Sequence, residues 1–103
     1  MSSLLSQLTK RQFSDETILL IWKKGMTVPG YNADLFRKDI CTAWMSFSKY
    51  GDRTSKLGWE IDHINPNGID NYVNLQPLQW ENNVAKGDGP LTCKVTSNGN
   101  QNI

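Results

Sequence analysis

The hydrophobic pattern begins with one apolar run, residues 18–22, set between the start and stop signals of a helix. Ser14 is suited to cap a helix, and the acidic pair at residues 15–16 sits favourably at the positive end of the helix dipole. Residues 23–25 are two lysines and a glycine, which is typical of a helix end. The pattern predicts a helix over residues 15–24.

Two shorter elements are predicted after a Pro-Gly turn at residues 29–30. Residues 32–38 are suited to a short helix that Asn32 caps. The segment 41–47 is ambiguous, and its alternation of Trp, Met and Phe with small polar residues slightly favours a strand. These elements make up a predicted helical and strand support region over residues 13–57.

The next part of the chain has the pattern of a hairpin followed by a helix. Residues 59–64 and 73–78 are each typical of a strand, and the loop between them is rich in Asn, Asp and Gly. Residues 80–86 suit a helix that Gly87 closes. We therefore predict a core over residues 58–88, in which the helix packs back across the hairpin.

The end of the chain has a different composition. Residues 89–103 are mostly Gly, Asn, Ser and Thr with few apolar side chains, so we expect a flexible, loosely held tail. A length of 103 residues fits one domain, residues 1–103, with a modest core of its own. The predicted fold class is α+β, with an N-terminal helix ahead of the core.

The charge balance limits the class of partner. The chain has eleven basic and ten acidic residues, which gives a formal net charge of +1. A strongly basic chain would indicate binding to nucleic-acid phosphates, so here any such contact has to come from a local basic face. Arg53 and Lys56, which precede the first strand of the core, are the candidates for phosphate contact. The basic pairs at 10–11 and 23–24 are expected to be a solvated face.

The two cysteines, Cys41 and Cys93, lie far apart in the sequence. The chain has no Cys-x-x-Cys pair, which excludes a structural zinc knuckle. A disulfide between them is compatible with the sequence, although two free thiols in a reducing compartment are the simpler interpretation. No secretory signal is visible, and the longest apolar run is too short to span a bilayer. A cytoplasmic protein without a membrane partner is therefore expected.

The reactive side chains are concentrated around the one histidine of the chain, His63, which follows Asp62 in the first strand of the core. Neighbouring strand residues point to opposite faces, so this pair serves one site only where the strand ends. The Pro and Asn-Gly that follow supply that end. Asn83 and Lys86 lie three residues apart on one face of the predicted helix. A carboxylate, an amide and an ammonium are therefore expected beside the imidazole.

These residue types are suited to phosphodiester hydrolysis. Asp62 and Asn83 offer the hard oxygen ligands that Mg²⁺ or Mn²⁺ prefers, which predicts one divalent cation. His63 is suited to take a proton from the attacking water as the general base. Asn74 is placed to hydrogen-bond the backbone near His63 and so to hold the loop. Lys86 is suited to bind a phosphate oxygen as a point charge.

Other interpretations of the same residues remain open. An Asp-His pair such as Asp62-His63 is commonly a hydrogen-bonded structural pair, and Asn74 at a strand entry is often only a turn former. Asn82 competes with Asn83 as the second metal ligand. The three-residue step from Asn83 to the lysine of the helix favours Asn83.

The order and spacing of these residues resemble the HNH endonuclease family, which shares the ββα-metal fold. The motifs that carry the resemblance are Glu60-Ile61-Asp62-His63-Ile64-x-Pro66, Asn74-Leu75-Gln76-x-Leu78 and Asn83-x-x-Lys86-Gly87. The resemblance implies that Asp62 and Asn83 hold the metal, that His63 is the general base and that Asn74 is a structural support. Many members of the family carry a structural zinc between two Cys-x-x-Cys pairs, and no structural zinc is expected here.

The function expected from the residues and the resemblance is metal-dependent endonuclease activity on DNA, with RNA left open as a substrate. The likeness to compact bacterial members implies a bacterial or phage-encoded protein. The short chain has little room for a recognition domain, which leaves a homodimer, a partner protein or low specificity. The alternatives are a catalytically silent module that binds nucleic acid or protein, and a nonspecific toxin-like nuclease controlled by an inhibitor.

Overall fold

Residues 13–103 are described by a computed structural model, in which two α-helices are combined with three two-stranded antiparallel sheets. The predicted α+β class is confirmed at this level. The expected solvated pair at 10–11 lies outside the described residues. No helix within the described part of the chain is long and apolar enough to cross a membrane. The elements are α1 (Asp15–Trp22), β1 (Phe36–Lys38), β2 (Trp44–Ser46), β3 (Trp59–His63), β4 (Leu75–Gln79), α2 (Trp80–Lys86), β5 (Ser97–Asn98) and β6 (Gln101–Asn102).

Helix α1 starts where the sequence predicts and ends two residues early. The Ser14 hydroxyl accepts a hydrogen bond from the Thr17 amide at 3.1 Å, as expected of an N-cap. The helix ends at Trp22 because the following residues turn into a bridge with β1. In that bridge the amides of Met26 and Lys38 each donate to the other's carbonyl, at 2.7 and 2.9 Å.

The short helix predicted over residues 32–38 is wrong. The Asn32 side chain caps a single turn by accepting from the Asp34 amide at 2.9 Å, and the chain then extends into β1. β1 pairs with β2 in a register that sets Arg37 opposite Met45. The tertiary pairing overrides the local helical tendency. Within residues 41–47, where a strand was slightly favoured, three residues form β2.

The hairpin and helix of the core have nearly the predicted bounds. In the β3–β4 register, Asp62 faces Gln76 and His63 faces Leu75. The second strand starts later than predicted because Tyr72–Asn74 forms a 3-10 turn before it. Helix α2 follows β4 directly and covers the predicted residues, and the Gln79 side chain caps it.

The aromatic core fixes the start of β3. Trp59 is fully buried and packs against Trp22, with ring centroids 5.1 Å apart. Phe47 and Tyr50 close the cluster from the other side, and the Tyr50 ring lies 4.9 Å from that of Trp59. These contacts anchor the first residue of β3 to the support region. Asp62 and His63 lie at the opposite end of the same strand.

The segment expected to be a flexible tail is instead attached to the support region. Cys93 forms a disulfide with Cys41, so the expectation of two free thiols is wrong, and the argument for a reducing compartment loses its basis. Val95 is buried, and the Asn102 side chain donates to the Trp44 carbonyl at 3.0 Å. Local composition does not reveal these contacts, because they join residues that are distant in the sequence.

A buried carboxylate links the support region to α2. Asp39 is 1% exposed, and its Oδ1 accepts from the backbone amides of Cys41 and Ala43. Its Oδ2 accepts from the Gln79 amide at 2.9 Å and from the Asn82 side chain at 3.1 Å. Burial raises the pKa of Asp39, although these hydrogen bonds act in the opposite direction. We call these residues the Asp39 cluster.

Candidate active site

The candidate site lies between β3 and α2, which face each other through two pairs of side chains. Asn83 donates to Glu60 at 2.8 Å, and the Lys86 ammonium lies 3.3 Å from the Asp62 carboxylate. Glu60 and Asp62 are two residues apart, so they lie on one face of the strand. Asn83 and Lys86 are three residues apart, so they lie on one face of the helix. The structure thus brings three predicted site residues, Asp62, Asn83 and Lys86, into one contact layer.

Asp62 is buried at this layer, with 6% of its surface exposed. Its Oδ2 accepts a hydrogen bond at 2.9 Å from Gln76, the residue opposite it on β4. Its Oδ1 faces Lys86. An ionised carboxylate has about four lone-pair positions, so these two contacts leave it able to accept a further ligand.

Lys86 is also buried, and its ammonium donates to the His63 carbonyl at 3.0 Å. The phosphate contact predicted for Lys86 is not available in this arrangement, because the ammonium is directed inward to Asp62. A buried ammonium has to be paired with a charge or hydrogen-bonded, and Asp62 and His63 supply both kinds of contact. Lys86 therefore fixes the end of β3, where both of these residues lie.

His63 is half-buried, and its Nε2 hydrogen-bonds Asp70 Oδ1. A carboxylate only accepts, so in the neutral ring Nε2 carries the hydrogen and Nδ1 has the free lone pair. Sequence analysis missed Asp70. The available signal was an acid within the Asn- and Gly-rich loop that follows the histidine, but such acids are ordinary turn residues.

Asn74 makes the predicted hydrogen bonds with the backbone near His63. Its Oδ1 accepts from the Asn65 amide at 2.9 Å, and its Nδ2 donates to the carbonyls of Asn65 and Ile69, each at 3.1 Å. The side chain therefore ties both ends of the loop together. Gly68 lies against it, since a Cβ there would be 2.5 Å from Asn74 Nδ2.

An open, mostly polar cavity of about 200 Å³ collects the candidate residues. Asp62 and His63 both line it, which neighbours on a strand can do here because His63 is the last residue of β3. Asn83 lines the cavity from α2, whereas Asn82 is fully buried in the Asp39 cluster. The complete lining is Ile61, Asp62, His63, Pro66, Asn83, Gly87 and Asp88.

The other two residues predicted to contact phosphate, Arg53 and Lys56, lie beside Glu60 and Glu81. Arg53 forms a two-point ion pair with Glu60, at 2.6 and 2.9 Å, and this carboxylate raises the pKa of Arg53. The Lys56 ammonium lies 3.6 Å from Glu81 and is largely exposed. Lys56 can leave Glu81 for a phosphate at little cost in free energy, because exposed ion pairs are weak. Arg53 would have to bind a phosphate beside Glu60 or give up its ion pair with Glu60.

The donor set offers oxygen ligands rather than a preformed metal cage. Among residues 13–103, no three His, Cys, Asp or Glu side chains are grouped so that they could hold a metal ion. The hard donors that line the cavity are the carboxylates of Asp62 and Asp88 and the amide of Asn83. Because the Asn83 Nδ2 donates to Glu60, its Oδ1 is the end left for a cation.

Comparisons with models of protein families, with curated proteins and with solved structures give no match for this chain. Its chemistry is therefore inferred from the geometry of the site.

Proposed function

We propose that this protein is a metal-dependent endonuclease of the HNH type that hydrolyses phosphodiester bonds in DNA. The observation that carries the proposal is one open cavity lined by a buried carboxylate, an amide and a half-buried imidazole. Asp62 and Asn83 supply hard oxygen atoms, and His63 supplies a base with one nitrogen already hydrogen-bonded.

The donor chemistry fits a single Mg²⁺ or Mn²⁺ ion held by Asp62 and Asn83. Both cations prefer carboxylate and amide oxygens and keep several waters or phosphate oxygens in their shell. When bound, such a cation stabilises the negative charge that develops on the phosphate and the leaving oxygen. Glu60 supports this role by holding Asn83 through its nitrogen, at 2.8 Å, so that the amide oxygen is the end left for the cation.

His63 acts as the general base in the proposed reaction. Its Nε2 is engaged with Asp70, so Nδ1 accepts the proton from the attacking water. Lys86 contributes by holding the His63 carbonyl and the Asp62 carboxylate, which fixes the spacing between base and metal ligand. We therefore assign Lys86 a positioning role in place of the predicted phosphate contact.

Substrate binding in this proposal depends on few cations. The chain has a net charge of +1, and Arg53 and Lys56 are the candidates near the start of β3. Affinity for duplex DNA should fall with salt on a shallow slope, because each neutralised phosphate contributes about one unit to that slope. A steep slope would indicate that a larger basic surface binds the substrate.

The proposal is tested by incubating supercoiled plasmid with the protein and Mg²⁺ or Mn²⁺. Nicked or linear product should form with either metal and disappear when a chelator is added. Asp62→Asn should abolish most of the product while leaving the circular dichroism spectrum folded. A single-stranded RNA of matched length, run in parallel, assigns the substrate class. Retention of product in the presence of chelator would overturn the assignment of a metal-dependent reaction.

A further inference from the structure

The loop between β3 and β4 brings an acid to the candidate base. Asp70 lies seven residues after His63, and its Oδ1 hydrogen-bonds the imidazole Nε2. The His63 ring is 31% exposed and the Asp70 side chain 48% exposed, so the pair sits at the edge of the site. We infer that Asp70 is a positioning residue for His63: it fixes the ring orientation and, in the neutral ring, leaves the Nδ1 lone pair as the acceptor for the reacting water. This inference rests on the proposed function.

The peptide group that follows His63 is held at both of its polar atoms. Its carbonyl accepts from Lys86 at 3.0 Å, and the next amide, that of Ile64, donates to the Asn74 carbonyl at 2.8 Å. With the backbone fixed, rotation of the ring is the main freedom left to the imidazole. A carboxylate at Nε2 removes that freedom, because the ring cannot rotate without breaking the hydrogen bond.

The position of Asp70 is itself controlled. The Asn74 side chain donates to the carbonyl of Ile69, the residue before Asp70, and the Asn71 side chain accepts from the Asn74 amide at 3.1 Å. The residues that flank Asp70 are therefore both tied to Asn74. On this inference Asn74, which does not line the cavity, acts on catalysis through the loop that holds the acid against the base.

A merely structural contact between Asp70 and His63 makes a different prediction. A contact this exposed contributes little to stability, so its loss would change neither folding nor catalysis appreciably. A positioning role predicts that cleavage falls while stability and metal affinity stay the same. The ring state of His63 provides a third readout, because the chain contains a single histidine and its imidazole ¹⁵N signals need no assignment.

The experiment compares wild type, Asp70→Ala and Asp70→Asn. Both variants remove the same charge, but the Asn oxygen can still accept from Nε2, so their difference isolates the hydrogen bond. In Asp70→Ala we expect kcat to fall about 10- to 100-fold, a part of the roughly 10²- to 10⁴-fold that the general base itself contributes. Because Asp70 acts only on the base, KM and Mn²⁺ affinity should change less than about 2-fold in Asp70→Ala. Asp70→Asn should recover part of the lost kcat.

The NMR signals should change in parallel. The neutral wild-type ring should carry its proton on Nε2, whereas the ring in Asp70→Ala should be a mixture of both tautomers. Cleavage by Asp70→Ala at the wild-type rate, or a loss explained by weaker Mn²⁺ binding, would overturn the positioning role alone. Absence of cleavage by the wild-type protein would overturn the proposed nuclease function. It would also overturn the catalytic role inferred for the Asp70–His63 contact.

Discussion

Asn83 on α2 donates its side-chain nitrogen to Glu60 on β3 at 2.8 Å, while its neighbour Asn82 is buried against Asp39. Two adjacent asparagines therefore face different environments. One lines the open cavity, and the other joins the helix to the support region and the C-terminal segment. Replacing Asn83 should therefore change metal binding, whereas replacing Asn82 should change the stability of the fold.

Asn83→Ala should lower Mn²⁺ affinity at least about tenfold with little change in Tm, because it removes a ligand from the cavity wall. Asn82→Ala should leave the metal affinity of the folded protein near wild type. It should cost about 2–4 kcal/mol of stability, since Asn82 makes hydrogen bonds to Asp39, Lys94 and Val95 in a buried setting. Calorimetric titration and urea unfolding give the two numbers, and equal loss of metal affinity from both variants would contradict the assignment.

Asp39→Asn should destabilise the protein by about 1–3 kcal/mol at neutral pH. An amide nitrogen would then face two N–H donors where the carboxylate now offers an oxygen. The measurement is urea unfolding of variant and wild type at the same pH, and equal stability would contradict the role of the Asp39 cluster.

The Asp39 carboxylate also makes the stability of the fold depend on pH. Burial raises the pKa of Asp39 above that of the unfolded chain, so the folded state holds its proton more tightly. The part of the stability that arises from this pKa difference is fully present below the unfolded pKa and is lost as pH rises through the higher folded value. The stability advantage of wild type over Asp39→Asn should therefore shrink as pH rises from about 4. An advantage that grows over that range would show that the hydrogen bonds outweigh burial.

Reduction of the Cys41–Cys93 disulfide should lower stability by about 2–4 kcal/mol and Tm by roughly 10 °C or more, because it frees a long loop in the unfolded chain. The Cys41→Ser, Cys93→Ser double variant should behave like the reduced protein and be insensitive to reductant. Plasmid cleavage below the lowered Tm should persist, since neither cysteine lines the cavity. Loss of cleavage in a variant shown to be folded would mean that the C-terminal segment shapes the site directly.

Gly68→Ala should reproduce the defect of Asn74→Ala. A Cβ at Gly68 would lie 2.5 Å from Asn74 Nδ2, so the amide has to move away from the Asn65 and Ile69 carbonyls. Both variants should lower kcat in single-turnover cleavage and weaken the Asp70–His63 contact that the imidazole ¹⁵N signals report. Unchanged kcat in Gly68→Ala would show that the loop tolerates the shift.

The parts of the fold that depend on local signals were predictable, and those that depend on distant contacts were not. Helix α2 has an acid in its first turn and a glycine after its last residue, and its bounds were predicted correctly. Residues 32–38 also begin with a capping side chain, that of Asn32, but pairing with β2 extends the last three of them. The disulfide and the attachment of residues 89–103 join segments that no local pattern relates.

The candidate site shows the same division. The spacing of Asp62, Asn83 and Lys86 follows from strand and helix periods, so their convergence could be predicted. The burial of Lys86 depends on the distance between α2 and β3, which no sequence period gives. Asp70 reaches His63 through the path of a loop, and that path is set by Asn74.

The central claim is that His63 is the base of a metal-dependent nuclease, and the most direct test is single-turnover cleavage of labelled duplex DNA by His63→Ala. The variant should fold, bind Mn²⁺ about as tightly as wild type, and cleave on the order of 10²- to 10⁴-fold more slowly. Wild type and variant purified side by side exclude a contaminating nuclease, and added imidazole should restore part of the lost rate. Cleavage by His63→Ala at the wild-type rate, with the same dependence on Mn²⁺, would contradict the account.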